Sequence, residues 1–197
     1  MDQILALLEI IAIRKEQGLD TFTGFLDVSK AYDCTDRTLL LDKLKEAGLE
    51  SQTLLLLGVI LSRVTRKVVI DGSVSEECDV GLGVPQGSVI SPWLYSTYID
   101  GLQAALRERG LGVWVFARRV PLLLFADDIV LIAGSLEDLQ KCLDVAHEYA
   151  RKWRFMFNHQ KCKVVAFGSD FAKRAAAAQM WILGNGTLEC ASTSDWS

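Results

Sequence analysis

The sequence predicts an α+β fold, a mostly antiparallel sheet flanked by helices, and three observations carry that expectation. Strand-like and helical segments are interleaved, but hairpin signals intervene, which is not the strict alternation of a doubly wound parallel sheet. Half of the 197 residues are hydrophobic and 23% are charged, enough apolar material for one compact core at this length. Only 3 Pro and 15 Gly occur, without a period, which excludes collagen-like and low-complexity chains. Residues 1–190 are expected to form a single domain, and 191–197 a polar tail.

The elements follow in order. Residues 2–17 place Ile4, Leu5, Leu7, Leu8, Ile11 and Ala12 at helical spacings before Gly18, an amphipathic helix with a stop. Thr21 to Val28 is rich in aromatic and β-branched residues, a strand ending at or near Asp27. Helices are expected at about 35–47 and 51–64, then a hairpin of 66–71 and 73–80 around Asp71-Gly72. Gly81 to Ser88 is a breaker-rich loop, and Pro92 suits the first turn of a helix over about 90–109. Strands over 112–117 and 121–126 precede Ile129–Ala133, and Ser135 with Asp138 resembles a capping box opening a helix to about Trp153. Cys162 to Gly168 reads as the last strand. After Lys173 come an alanine run and an Asn185-Gly186 turn signal, with no completed element.

Composition bounds the function classes. The longest apolar run, Leu54 to Leu61, is far short of the roughly 20 residues that span a bilayer. The N-terminus lacks the basic start of a secretory signal, so an intracellular location, nucleus or cytoplasm, is expected. Cys34, Cys78, Cys142, Cys162 and Cys190 are odd in number and lack zinc spacing, as reduced thiols would be. The net charge of −4 taken alone argues against a nucleic-acid binder, unless some carboxylates collect divalent cations.

The most informative window is Pro121 to Ala133. With 15 Asp in 197 residues, one Asp-Asp pair is the chance expectation, so Asp127-Asp128 alone carries nothing. Its setting does, because five apolar residues precede the pair and five follow, a pattern of two buried strands. Adjacent carboxylates at the tip of a buried hairpin must be protonated, paired with bases or bound to a cation. No Lys or Arg lies between Pro121 and Leu131, which favours a divalent metal, and hard oxygens select Mg²⁺ or Mn²⁺. Asp27 ends an apolar strand 100 positions earlier. If the two strands are neighbours, Asp27 and Asp127 jointly hold two ions about 3.5 to 4 Å apart, the geometry of phosphoryl transfer.

Four segments in order, Asp27-Val-Ser-Lys-Ala-Tyr-Asp33, Gly83-Val-Pro-Gln-Gly-Ser-Val-Ile-Ser-Pro92, Phe125-Ala-Asp-Asp128 and Asn158-His-Gln-Lys-Cys-Lys163, resemble the successive palm motifs of reverse transcriptases. The likeness is greatest to those of non-LTR (LINE-type) retrotransposons, and it covers about residues 2–190. The resemblance implies a polymerase palm with partial fingers and no thumb. It implies Asp27, Asp127 and Asp128 as catalytic, metal-binding acids with the Val28 carbonyl as a further ligand, and two Mg²⁺ ions, Mn²⁺ being an alternative. It implies Tyr32 as an aromatic gate that excludes a 2′-hydroxyl. Pro85, Gln86 and Gly87 fall in the loop lining the nucleotide and template pocket, where glycine permits close backbone approach. Lys161 or Lys163 then assists pyrophosphate departure, and the partners implied are an RNA template, a DNA primer and a dNTP.

Measured against that family, the chain resembles a palm cut at both ends, its missing fingers and thumb being parts that a longer chain would supply. Ala117-Arg-Arg-Val120 matches no family feature. Three basic clusters, Arg63, Arg66 and Lys67, then Arg118 and Arg119, then Arg151, Lys152 and Arg154, are candidates for phosphate contact. Two readings stand: RNA-directed DNA synthesis by two-metal nucleotidyl transfer, or a catalytically inactive truncated retroelement remnant with at most weak RNA binding. Group II intron and telomerase-type enzymes share the palm chemistry, so the element class stays open at this stage.

Overall fold

The structure is a computed structural model that describes residues 3–192. In chain order it comprises α1 (Gln3–Glu16), β1 (Thr21–Asp27), α2 (Ala31–Cys34), α3 (Arg37–Glu46) and α4 (Ser51–Ser62). Four two-residue strands follow, β2 (Thr65–Arg66), β3 (Val69–Ile70), β4 (Ser73–Val74) and β5 (Cys78–Asp79). Then come α5 (Ser91–Glu108), β6 (Val113–Val115), β7 (Arg118–Val120), β8 (Leu122–Phe125), β9 (Asp128–Ala133) and α6 (Leu136–Lys152). The last elements are β10 (Lys163–Phe167), α7 (Asp170–Ala178), β11 (Trp181–Leu183) and β12 (Gly186–Cys190). No helix among the described residues is long and apolar enough to cross a membrane.

Contacts group the described residues into two compact units, one of residues 3–29, 101–152 and 156–192, the other of residues 30–100 and 153–155. The first unit is a six-stranded sheet in the order β11-β12-β10-β1-β9-β8. Every pairing is antiparallel except that of β10 with β12, as the fold class predicted. β1 sits inside the sheet and is buried along most of its length, Thr21 and Thr23 together with its apolar residues. At Gly24 an added Cβ would meet Leu139 and Leu143 of α6 at 3.6 Å, ordinary contact. On the other face Leu7, Ile10, Val113 and Ile132 form a buried cluster. Ser135 accepts the Asp138 N–H at 3.1 Å, the cap expected at the start of α6.

In the second unit Asp36 caps α3 by accepting from the Thr38 and Leu39 N–H groups. Asp71 and Gly72 both have positive φ between β3 and β4, as a type I′ hairpin turn requires. Leu40, Leu44, Leu61, Leu94, Tyr95 and Tyr98 are buried. The Tyr98 hydroxyl donates to the Trp153 carbonyl, accepts the Asp36 N–H at 3.4 Å, and its ring meets Trp153 edge-on at 5.2 Å. Burial pushes its pKa from 10.0 to about 12. Between those values the unfolded chain loses this proton and the folded chain keeps it, so stability falls as pH rises through the window. Tyr98→Phe is therefore expected to cost about 1 kcal/mol at neutral pH and to flatten the loss of stability between pH 10 and 12, measured by urea denaturation across pH.

Two expectations need correction. Cys162 to Gly168 is not the last strand: α7, capped by Ser169 through the Ala172 N–H, and the β11–β12 hairpin follow it. Their turn is Gly184-Asn185, one position before the expected signal, with Gly184 at φ +60, and β12 is held by parallel pairing to β10. Short strands with a distant partner carry little local periodicity, which is why they escape a sequence pattern. Likewise the segment expected as a strand over 112–117 is half of a hairpin, β6 with β7, turning at Phe116-Ala117 without any Gly, Pro or Asn. Of the expected polar tail, residues 193–197 lie outside the described residues.

Candidate active site

β8 and β9 are joined by the two-residue turn Ala126-Asp127, with Phe125 opposite Asp128. β9 pairs with β1 so that Asp27 is in register with Asp128. Directly opposed residues of an antiparallel pair share a face, with Cβ atoms about 5 Å apart. Two strand ends and a turn thus bring Asp27, Asp127 and Asp128 together, as their sequence settings required. The strands behind them are buried, but the tip is not: Asp128 is exposed and Asp27 and Asp127 are half-buried. The expected buried tip is corrected to an open one, because the turn projects past the last residues that the sheet covers.

The Asp128 carboxyl is held above its ordinary pKa, first by desolvation, then by Asp127 and Asp27, with Lys161 opposing. Like charges in this register repel, and hard-oxygen donors so placed fit a divalent cation. Among the described residues no group of three His, Cys, Asp or Glu is placed to hold a metal ion by itself. The Val28–Phe157 bridge is closed by its neighbours, the Ser29 N–H to the Met156 carbonyl and the Asn158 N–H to the Asp27 carbonyl, both 2.9 Å. The Val28 carbonyl takes no part in those two bonds.

The absence of a base near the Asp-Asp pair holds only along the chain. Lys161, which is mostly exposed, lies 3.5 Å from Asp27, whereas Lys163 pairs with Glu189. The geometry separates two lysines that sequence left equivalent. Cys162, between them, is fully buried, and its sulfur accepts the Asp27 N–H at 3.3 Å. Burial pushes the Cys162 thiol up, so a neutral thiol backs the Asp27 backbone. No sequence signal marked it. Beside the carboxylates, Ile4, Leu7, Phe25, Leu123 and Phe125 contribute to a largely apolar cavity of about 480 Å³ that Asp27, Asp128 and Lys161 also line.

Ala126 adopts φ +53, a left-handed conformation disfavoured for residues with a Cβ. Strain of this kind clusters at functional sites. Ala126→Gly is expected to stabilise the fold by about 0.5–1 kcal/mol and Ala126→Val to destabilise it by at least as much, as thermal melts of the two variants would show.

The remaining motif residues lie in the second unit. The Tyr32 ring stacks on Tyr95 at 5.2 Å, and its carbonyl accepts the Val84 N–H at 2.7 Å. The Pro85 carbonyl accepts the Ser91 hydroxyl at 2.6 Å, and the exposed Gln86 amide donates to Asp33 at 3.2 Å. Gly87 has φ +83 with open space around it. Within the chain the close approach is at Gly83, where a Cβ would stand 2.8 Å from the Asp33 backbone. Arg37, buried and unmarked by any sequence motif, donates to the carbonyls of Gly83 at 2.6 Å, Val80 at 2.5 Å and Leu82 at 3.1 Å, and so holds the start of this loop.

Comparison with known proteins agrees with the motifs. The reverse transcriptase (RNA-dependent DNA polymerase) family matches residues 3–186. The chain is 28% identical over 185 residues to the transposon TX1 uncharacterized 149 kDa protein of Xenopus laevis, covering 91% of this chain and 14% of that protein. It is 30% identical over 152 residues to the RNA-directed DNA polymerase from mobile element jockey of Drosophila melanogaster, covering 74% of this chain and 16% of that protein. It spans less than a fifth of the length of either. Among solved structures, apo telomerase from Candida tropicalis, truncated from its C-terminal domain, superposes with a TM-score of 0.59 at 18% identity, over 94% of this chain and 37% of that one. At that identity the fold alone is shared, and it is the expected α+β palm.

Proposed function

The chain belongs to the reverse transcriptase (RNA-dependent DNA polymerase) family, and from that premise we propose that it carries the palm of a non-LTR retrotransposon polymerase. The reaction is nucleotidyl transfer, in which a DNA primer 3′-hydroxyl attacks the α-phosphate of a dNTP selected by an RNA template. The observation that carries the reading is the register of Asp27 with Asp128, beside Asp127 at the turn.

Asp27, Asp127 and Asp128, with the Val28 carbonyl, are the groups that would hold two Mg²⁺ or Mn²⁺ ions, which supply activation of the attacking oxygen and charge stabilisation of the leaving one. Lys161, poised on Asp27, is the lysine assigned to the departing pyrophosphate, where an ammonium donates a proton or neutralises charge. Tyr32 is assigned to the 2′-hydroxyl gate, and Pro85, Gln86 and Gly87 to the nucleotide and template pocket, on their motif positions.

The test is incorporation of labelled dTTP on poly(rA) with an oligo(dT) primer by the 197-residue chain, in Mg²⁺, in Mn²⁺ and with a chelator. Incorporation is expected with either ion and none with the chelator. A chain that melts cooperatively yet incorporates nothing in either ion would favour the inactive reading.

A further inference from the structure

The β6–β7 hairpin has no part in the chemistry above. Its register pairs Val113 with Val120, Trp114 with Arg119 and Val115 with Arg118. Val113, Val115 and Val120 pack in the cluster of Leu7, Ile10 and Ile132. Strand alternation therefore turns Trp114 and Arg119 to the other face, where Trp114 is 57% exposed. The Arg119 guanidinium lies over the Trp114 ring at 5.0 Å and donates to the Gly110 carbonyl, so it is held between the ring and the backbone.

The turn itself is more unusual. Phe116 stands at its tip, 86% exposed, with φ +52. A side chain with a Cβ is strained in that backbone region, and an exposed ring leaves apolar surface in water. Gly or Asn would serve the turn better, so fold stability does not account for a Phe here. Beside it Arg107, Trp114, Ala117, Arg118 and Arg119 line one open depression. Among the described residues neither Arg107 nor Arg118 has an ion-pair partner.

We propose that this hairpin is a docking platform for single-stranded nucleic acid, its bases stacking on Phe116 and Trp114 and its phosphates meeting Arg107, Arg118 and Arg119. Charge complementarity selects a polyanion, since three arginines share one depression. Two outward aromatic rings select nucleobases over an acidic peptide, because every base offers a face for sequence-tolerant stacking. The choice of nucleic acid as occupant rests on the polymerase reading, while the surface is separate from the carboxylates and loses nothing if they are inert.

The test is fluorescence anisotropy of labelled oligo(dT) and oligo(rU), each of about 16 nucleotides, titrated with the 197-residue chain. Phe116→Gly, which suits the left-handed backbone and is expected to leave Tm unchanged or higher, should weaken binding about tenfold. Arg118→Glu should weaken it comparably and lower the slope of log affinity against log salt by about 0.7 or more. Lys15→Glu, on the exposed side of α1, is the charge-matched control and should bind nearly as the parent does. The inference falls if the parent chain binds neither oligonucleotide, if both hairpin variants bind like the control, or if labelled poly-glutamate binds as tightly as the oligonucleotides. Incorporation assays on the same proteins keep the two readings apart. Hairpin-dependent binding without dTTP incorporation sinks the polymerase reading alone, and incorporation with hairpin-independent binding sinks this one alone.

Discussion

Asp127→Asn is expected to lower dTTP incorporation by about three orders of magnitude while leaving the fold at least as stable. Asn keeps the size and the turn position but removes the charge with which the residue would hold a cation. Metal-ion stabilisation of transition-state charge amounts to several kcal/mol, and each 1.36 kcal/mol is about tenfold in rate. Stability should move the other way, because Asp127 is one of the charges that raise the Asp128 carboxyl, and removing it relieves repulsion among three close carboxylates. Single-turnover incorporation with thermal melts separates the two effects. Loss of activity together with a lower Tm would mean that the residue is structural, and full activity would remove the two-metal assignment.

Arg37→Ala is expected to destabilise the second unit by about 3 kcal/mol. Three carbonyls, those of Val80, Leu82 and Gly83, accept from one guanidinium; a bond to a charged group contributes about 1.5–3 kcal/mol net, and water reaching the exposed side of the loop replaces part of the three. Burial lowers the Arg37 pKa, yet a guanidinium stays charged, so its removal deletes donors that water cannot fully replace at a buried position. At about 2–4 °C per kcal/mol for a chain of this size, Tm should fall by roughly 6–12 °C. Arg37→Lys should recover little, since an ammonium lacks the planar fork that reaches three carbonyls at once. A shift under about 2 °C for Arg37→Ala would show that the loop holds itself.

The acids of the site were legible in the sequence for a local reason. Five apolar residues on either side of Asp127-Asp128 announce two strands and a turn, and an apolar strand ending at Asp27 announces the third carboxylate. The Asp71-Gly72 hairpin and the Ser135 cap were legible in the same way, because turn and cap chemistry acts within a few residues. What failed was also consistent. β12, five residues long, exists through its pairing with β10, and the β6–β7 turn uses Phe116-Ala117, which no turn preference selects.

The sequence by itself determined the mixed α+β class, the main elements as far as β10 and which carboxylates the candidate site gathers, since periodicity, capping and the motifs are properties of neighbouring residues. Only the tertiary structure decided that Lys161 and not Lys163 faces Asp27, that Cys162 backs it, that Arg37 holds the loop before Pro85, and that the hairpin tip is open to solvent. Each of these depends on strand register or packing between segments far apart in the chain, up to 135 residues for Asp27 with Cys162. A one-residue slip in register would turn every side chain of a strand to its other face. Which charge meets which is therefore set by the pairing of β1 with β9 and β10, and no local window contains it.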